Sequence, residues 1–540
     1  MPIRALTRVL STAALSTVVL SAVVVTAGGV TTGDVPTTRP PATTEAAEPP
    51  DPGVVRIDSG RLRGSVAGDH VTYTGIPYAA PPVGERRWQP PVRPRPWQGV
   101  RDATTPSPYC ARSGGPGVVV GQEDCLYLDV TVPTDVERGE RLPVLVWVHG
   151  GSFNSGGARE VDTARLATAG DVIVVDINYR LGALGFLSAS AIDTAGGNYG
   201  LMDQAEALRW VRRNAARFGG DPGNVTLAGE SAGARSVCSH LASPGSRGLF
   251  DRAIIQSGAC DNAVPTLAEA QAFGAQATTD LGCDDAADVA ACLRDLPTVQ
   301  LVGVLGQVGF AVNGRVADRP WNPVAGTPLL PRQPADALRD GSAARVPLLI
   351  GTTRDEMRAF LSGAPVTADL YRTMVTGAFG ADAATVLAEY PVGDYDRPAL
   401  ALATVLGDWG GMIGACPVLR SADAAAVHQT VYAYEFAEDS GRVVEGFPMG
   451  AYHGSDLSYF WDLDTDWPPP PLNPDQERLS ATMIEYWTAF VRTGDPNGPG
   501  RPHWSEFGST GSVLGLSTSA IAPTPLAADH RCDLWATLPR

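Results

Sequence analysis

Pro143 to Val148 is a short Val-rich apolar run without alternation, the pattern of a strand buried on both faces of a parallel sheet. Val172 to Ile177 and Val346 to Ile350 repeat it, and Val225 to Ala228 is a shorter version. Between Asp203 and Phe218 the period changes to that of a helix. Ala205, Leu208, Trp210, Val211 and Ala215 fall on one side, able to pack on a sheet, and Gly219-Gly220-Asp221-Pro222 ends the segment. Apolar strands alternating with helical spacing predict an α/β fold around a mostly parallel central sheet.

The N-terminus follows another pattern. Arg4 and Arg8 precede an apolar stretch, Val9 to Ala27, that ends in the small residues Val25-Thr26-Ala27. Residues 1–27 read as an export signal that is cleaved rather than kept as an anchor, since no cationic stop flanks it. No cysteine follows the stretch to carry a lipid, and no twin arginine precedes it. Residues 28–52 are a Thr/Pro-rich linker with little to bury, and residues 53–540 read as one domain without internal repeats. The expected location is extracellular, with no stable membrane insertion after cleavage.

Composition narrows the chemistry. With 44% hydrophobic and 18% charged residues, the 540-residue chain can bury a large core. Its 41 cationic side chains are all arginine, which excludes a lysine Schiff base, a phosphate-loop lysine and a Ser-Lys dyad. A net charge of −17 argues against nucleic acid and anionic lipid as partners, and against long-range steering of anionic substrates. Eight cysteines in an exported chain predict disulfides, and none stands in a Cys-x-x-Cys pair that would suggest zinc or redox chemistry. Closeness in sequence favours Cys110–Cys125 and Cys283–Cys292. Cys238 and Cys260 read as buried free thiols, their pairing left open.

Gly229-Glu230-Ser231-Ala232-Gly233 follows the strand Val225 to Ala228 and precedes a helix-forming segment, Ala234 to Leu241. The pentapeptide alone is weak evidence. In a strand–turn–helix setting it reads as a strained elbow that lifts the Ser231 hydroxyl above the sheet edge. His149-Gly150-Gly151-Ser152-Phe153 is a second loop of small residues after a strand. A serine nucleophile needs a base, which in this arrangement lies downstream. Of the four downstream histidines, His453 sits in a small-residue loop, Gly450 to Asp456. His428 lies in an Ala-rich helix, and His503 and His530 lie in C-terminal turns. His240, on the helix after the serine, should point away from the elbow. Asp355 and Glu356, just beyond the strand Val346 to Ile350, both suit the carboxylate that orients the base, and periodicity does not choose between them. Asp456 reads as structural.

With these motifs stand Tyr73-Thr74-Gly75-Ile76-Pro77-Tyr78-Ala79, Glu123-Asp124-Cys125-Leu126-Tyr127-Leu128, Asn178-Tyr179-Arg180, Gly197 to Gln204 and Gln256-Ser257-Gly258. Together they resemble the type B carboxylesterase/lipase family, the cholinesterase-like branch of the α/β-hydrolases, from about Val54 to the C-terminus. The resemblance implies an α/β-hydrolase fold with a small N-terminal β-sheet and helical insertions around the active-site gorge, in a secreted bacterial carboxylesterase. It assigns Ser231 as nucleophile, Glu356 as acid and His453 as base. It places the oxyanion hole at the N–H groups of Gly151, Ser152 and Ala232, with Gly150 giving the loop room, and sets Glu230 and Ser257 just behind the triad. Cys110–Cys125 and Cys283–Cys292 match family disulfides, and Cys416–Cys532 resembles a third. A short to medium acyl ester is the expected substrate, with no metal or organic cofactor.

The chain also departs from the family. Ser152 stands where a third glycine is frequent, which narrows the pocket mouth against bulky tertiary-alcohol esters. Met357 and Thr353 replace a usual glycine and asparagine. The Ala111 to Asp124 loop lacks an aromatic residue, so a choline group would have no cation–π wall. Rival readings are a binding protein on this fold and another acyl hydrolase: a lipase, thioesterase or amidase. Trp467 to Pro471 reads as a surface loop before a lid, and Trp409 and Trp461 as core before pocket lining.

Overall fold

The apolar runs read from the sequence form the middle of an eleven-stranded sheet. In the computed structural model, which describes residues 53–135, 139–192, 195–306, 315–465 and 467–538, its strands are β1 (Ser65–Val66), β2 (His70–Pro77), β3 (Tyr127–Pro133), β4 (Leu142–Val148), β5 (Ile173–Ile177), β6 (Gly220–Glu230), β7 (Arg252–Gln256), β8 (Leu348–Thr353), β9 (Val431–Phe436), β10 (Val513–Leu516) and β11 (Ile521–Thr524). The expected export signal and linker lie outside the described residues.

The spatial order is β11-β10-β9-β8-β7-β6-β4-β5-β3-β2-β1. From β5 to β10 neighbours are parallel, while β11 at one edge and β3, β2 and β1 at the other run antiparallel. The chain passes from β4 to β5 on one side and returns to β6 on the other. That reversal opens a crevice at the carboxyl ends of β4 and β6, where ligands of open α/β sheets bind.

All seven residues of β4 are buried, as its unbroken apolar run requires. Val144, Val146 and Val148 face one layer together with Leu227, Ile255 and Ile350. Leu145 and Trp147 face the other together with Val174, Ile254 and Leu349. Five of the described helices frame the sheet and the site: α1 (Tyr199–Asn214), α2 (Ala232–Ala242), α3 (Pro398–Trp409), α4 (Ala415–Ala426) and α5 (Pro474–Thr493). The first layer packs on α1, α2 and α4 through Leu208, Val237 and Val418, and the second on α5 through Met483, Trp487 and Phe490. The helix expected over 203–218 is α1, begun four residues early and closed by a 3-10 turn at Ala215–Phe218. Val54–Ile57, Gly60–Arg63 and Val100–Asp102 form the small N-terminal sheet.

Disulfides join Cys110–Cys125, Cys283–Cys292 and Cys416–Cys532. Cys238 and Cys260, expected from the sequence to be free thiols, form a fourth, and no described cysteine is free. The reason is topological. Cys238 is on α2, which leaves β6, and Cys260 is on the loop leaving the adjacent β7, so strand pairing brings the two Cα atoms within 5.2 Å.

Trp461 is core, its ring 5.3 Å from that of Trp147. Trp409 is half-buried against Phe379 and lines a cavity of about 410 Å³. Trp467 is 44% exposed, under the guanidinium of Arg442. No described helix is long and apolar enough to cross a membrane.

Candidate active site

Strand β6 ends at Glu230, and Ser231 turns the chain into α2 with φ 56° and ψ −117°, a left-handed conformation unusual for a residue with a side chain. Close packing enforces the turn. A Cβ on Gly229 would lie 2.5 Å from the carbonyl carbon of Gly233, and one on Gly233 would strike the Val148 carbonyl at the end of β4. The Ser231 N–H donates to Gln256 O at 2.9 Å, tying the elbow to the end of β7.

The loop after β4 is strained in the same sense. Gly151, Ser152 and Phe153 have φ of 94°, 55° and 61°. The Gly151 carbonyl turns into the loop and accepts from Asn154 N, Ser155 N and Ser155 Oγ at 2.9, 3.0 and 3.1 Å. Among the described residues nothing accepts from the N–H groups of Gly151, Ser152 or Ala232. Gly150 is small because a Cβ there would sit 2.7 Å from Glu230 Oε2. His149 anchors the loop. Its ring stacks on Tyr179 at 4.4 Å, and burial pulls it down to about 4, so it stays neutral.

Two adjacent carboxylates follow β8, and the structure separates their partners. Asp355 pairs with Arg358 at 2.8 Å and accepts from Ala451 N at 3.0 Å. Glu356 Oε2 lies 2.6 Å from His453 Nδ1, while its Oε1 accepts from Thr352 Oγ1 at 2.7 Å and Thr353 N at 2.9 Å. Burial pushes the Glu356 carboxyl up, but the neighbouring imidazole together with the Ser257 and Thr352 hydroxyls holds the group below its ordinary value. Thr353 thus supplies its backbone N–H to Glu356.

His453 lies between carboxylates on both ring nitrogens, with Nε2 3.0 Å from Glu230 Oε1. Burial opposes its charge, but Glu230, then Glu356, then Asp456 raise it to about 9. Burial raises Glu230 itself to about 7, against the pull of His453. Asp456, read as structural, is buried and accepts from Gln256 Nε2 at 3.0 Å. Ser257 is buried with φ 54°, its N–H donating to Gly351 O at 2.9 Å and its hydroxyl helping to hold the Glu356 carboxyl down. Among the described residues no hydrogen bond joins Ser231 Oγ to His453. The imidazole leans instead on Glu230, the serine's chain neighbour. Such contacts are often long without substrate and tighten when it binds.

The other histidines have other work. His240 is a neutral core residue held by Ser246 Oγ and Gln204 Oε1, both at 2.9 Å. His428 meets Arg339 O at 3.1 Å. His530 is buried between Asp408 and Glu435 at 2.5 and 2.8 Å. Sequence reasoning missed two residues near the site. The Phe360 ring lies 5.3 Å from that of His453, and nothing in its sequence context marked it. Arg235 is buried on α2 one turn after Ser231, and an arginine among Ala234 and Ser236 was the available signal. Among the described residues no cluster of three His, Cys, Asp or Glu side chains could hold a metal ion.

The sequence pattern of the carboxylesterase family matches residues 51–535. The pyrethroid hydrolase of Rattus norvegicus is 33% identical over 527 residues, covering 89% of each chain. The acylcarnitine hydrolase of Mus musculus is 33% identical over 530 residues, covering 89% of this chain and 90% of its own. Among solved structures, a PNB esterase superposes with a TM-score of 0.75 at 31% identity, over 89% of this chain and 99% of its own.

Proposed function

The chain belongs to the carboxylesterase family and is an ester hydrolase of that type, and from this premise we propose that it is a secreted enzyme that works through an acyl-enzyme on Ser231. His453 is the base and Glu356 the acid. Short to medium acyl esters are the substrates. The observation that carries this reading is the 2.6 Å pairing of His453 with Glu356, the imidazole's other nitrogen lying 3.0 Å from Glu230, the chain neighbour of a left-handed Ser231.

Ser231 Oγ attacks the ester carbonyl as its proton passes to His453 Nε2, and Glu356 holds the Nδ1–H tautomer and the imidazolium that forms. The oxyanion is received by the N–H groups of Gly151, Ser152 and Ala232. Each such donor is worth about 3–4 kcal/mol in comparable sites. The alcohol leaves with the proton from His453, and water repeats the sequence on the acyl-serine. Four disulfides suit an extracellular enzyme.

Hydrolysis of 4-nitrophenyl acetate, butyrate, octanoate and palmitate, beside the Ser231→Ala variant, tests the proposal. A Ser231-dependent rate strongest on the short chains is expected. A palmitate preference would point to a lipase, and equal rates from both proteins on every ester would remove Ser231 as nucleophile.

A further inference from the structure

Three arginines are buried among the described residues: Arg87, Arg180 and Arg235, with 8%, 3% and 4% exposure. Two have carboxylate partners, Arg87 with Glu123 at 2.5 Å and Arg180 with Asp203 at 2.7 Å. Arg235 has none within ion-pairing distance. One Nη donates to the Met412 carbonyl, and the buried Nε has no acceptor. Leaving a buried charge without its counterion is strongly unfavourable, and a guanidinium presents five donors suited to a carboxylate. Arg235 is therefore short of an anion that no described residue supplies.

Its place in the fold says where that anion comes from. Ser231 caps α2 and Arg235 follows four residues later, in the first turn of the helix. Helical side chains lean toward the N-terminus, so the guanidinium is carried toward the end of the helix that bears the serine. Burial pulls the group down to about 9. The charge of Arg319 adds to this, and Glu230 and Glu356 oppose it. Those two carboxylates lie against His453, on its two ring nitrogens. Met412 follows Trp409-Gly410-Gly411, a segment that lines the cavity of about 410 Å³.

Building on the esterase reading, we propose that Arg235 receives a carboxylate carried by the substrate, which makes the enzyme selective for anionic esters such as hemiesters of short dicarboxylic acids. Residues four apart on a helix are separated by about 6 Å of rise. The arginine side chain spans a similar length, enough to bring a bound carboxylate within a few bonds of the reacting carbonyl.

The test compares kcat/KM for mono-4-nitrophenyl glutarate with that for the uncharged 4-nitrophenyl valerate. Butyryl glycolate against ethyl butyrate is the matching pair with the carboxylate on the alcohol side. The wild type should favour the anionic ester in one pair, and Arg235→Met should lower that anionic-to-neutral ratio at least ~10-fold, as loss of a charge-assisted pair predicts. Arg235→Lys should retain most of it. Calorimetric titration with glutarate reads the site apart from catalysis, and millimolar binding abolished in Arg235→Met is expected. No preference in either pair, a ratio indifferent to Arg235, or no glutarate binding by the wild type would overturn the proposal. Glutarate binding without hydrolysis of any ester would sustain the carboxylate site and strike the esterase reading alone.

Discussion

Replacing Glu230 by glutamine removes the largest single charge effect that raises His453. In the proposed mechanism His453 must be neutral to take the Ser231 proton, so the acid limb of kcat/KM reports the pH at which the imidazole sheds its own. With Glu230 ionised 3.0 Å from Nε2, that limb lies on the alkaline side, toward about 9. Two unit charges 4 Å apart interact by about 4 kcal/mol at an effective dielectric of 20. At about 1.4 kcal/mol per pH unit that is roughly three units as an upper bound. The charge centres lie farther apart than the contacting atoms, so a shift of about one to three units toward acid is expected in Glu230→Gln. Its direction follows from the sign. An anion favours imidazolium, and its removal lets the proton leave at lower pH. A pH-stat assay with ethyl butyrate across neutral and alkaline pH locates the limb without relying on a chromophore that itself titrates. An unmoved limb, or one displaced to higher pH, would refute the electrostatic reading of this pair.

His530 gives a stability test. Burial opposes its charge, but Asp408 and Glu435 raise it to about 10 from 6.5, so its contribution is complete below about 6.5 and is lost as pH rises through about 10. Removing one partner of a buried ion pair costs roughly 3–5 kcal/mol. Urea denaturation should show His530→Phe less stable by about that much at pH 6, with the gap closing toward pH 10, and a gap independent of pH would discard the assignment. The Cys238–Cys260 link closes 22 residues. The double alanine variant should lose about 3 kcal/mol in the same assay, and two reactive thiols in the denatured, unreduced wild type would show the bond absent.

What the sequence disclosed, and what it hid, divide by range. Strand β4 and helix α1 announced themselves because burial on two faces or one leaves a local signature. The elbow was legible because a sharp turn between a strand and a helix permits only small residues at Gly229 and Gly233. Asp355 and Glu356 could not be told apart from their spacing, since both leave the same strand end. Only the packing of the loop around His453 gives one the imidazole and the other Arg358. His530 looked like a residue in a C-terminal turn, yet its carboxylates come from 122 and 95 residues earlier, on α3 and β9. Cys238 and Cys260 were hidden for a related reason, since their nearness depends on β6 and β7 being neighbours in the sheet.

Charge shows the same division with a consequence for function. A net charge of −17 describes the field that an approaching molecule meets beyond a Debye length, about 8 Å at physiological salt. By that measure anionic substrates are disfavoured. Inside the site the relevant quantity is the imbalance among a few buried groups, where screening is weak. Glu230, Glu356 and Asp456 crowd His453 with negative charge, while Arg235, on the helix that Ser231 caps, has no carboxylate of its own. A substrate carboxylate would meet repulsion at a distance and an unpaired guanidinium at the end. Salt weakens the distant effect far more than the buried one, so the anionic-to-neutral kcat/KM ratio should rise with ionic strength. A ratio that falls would place the decisive contact at the surface, away from Arg235.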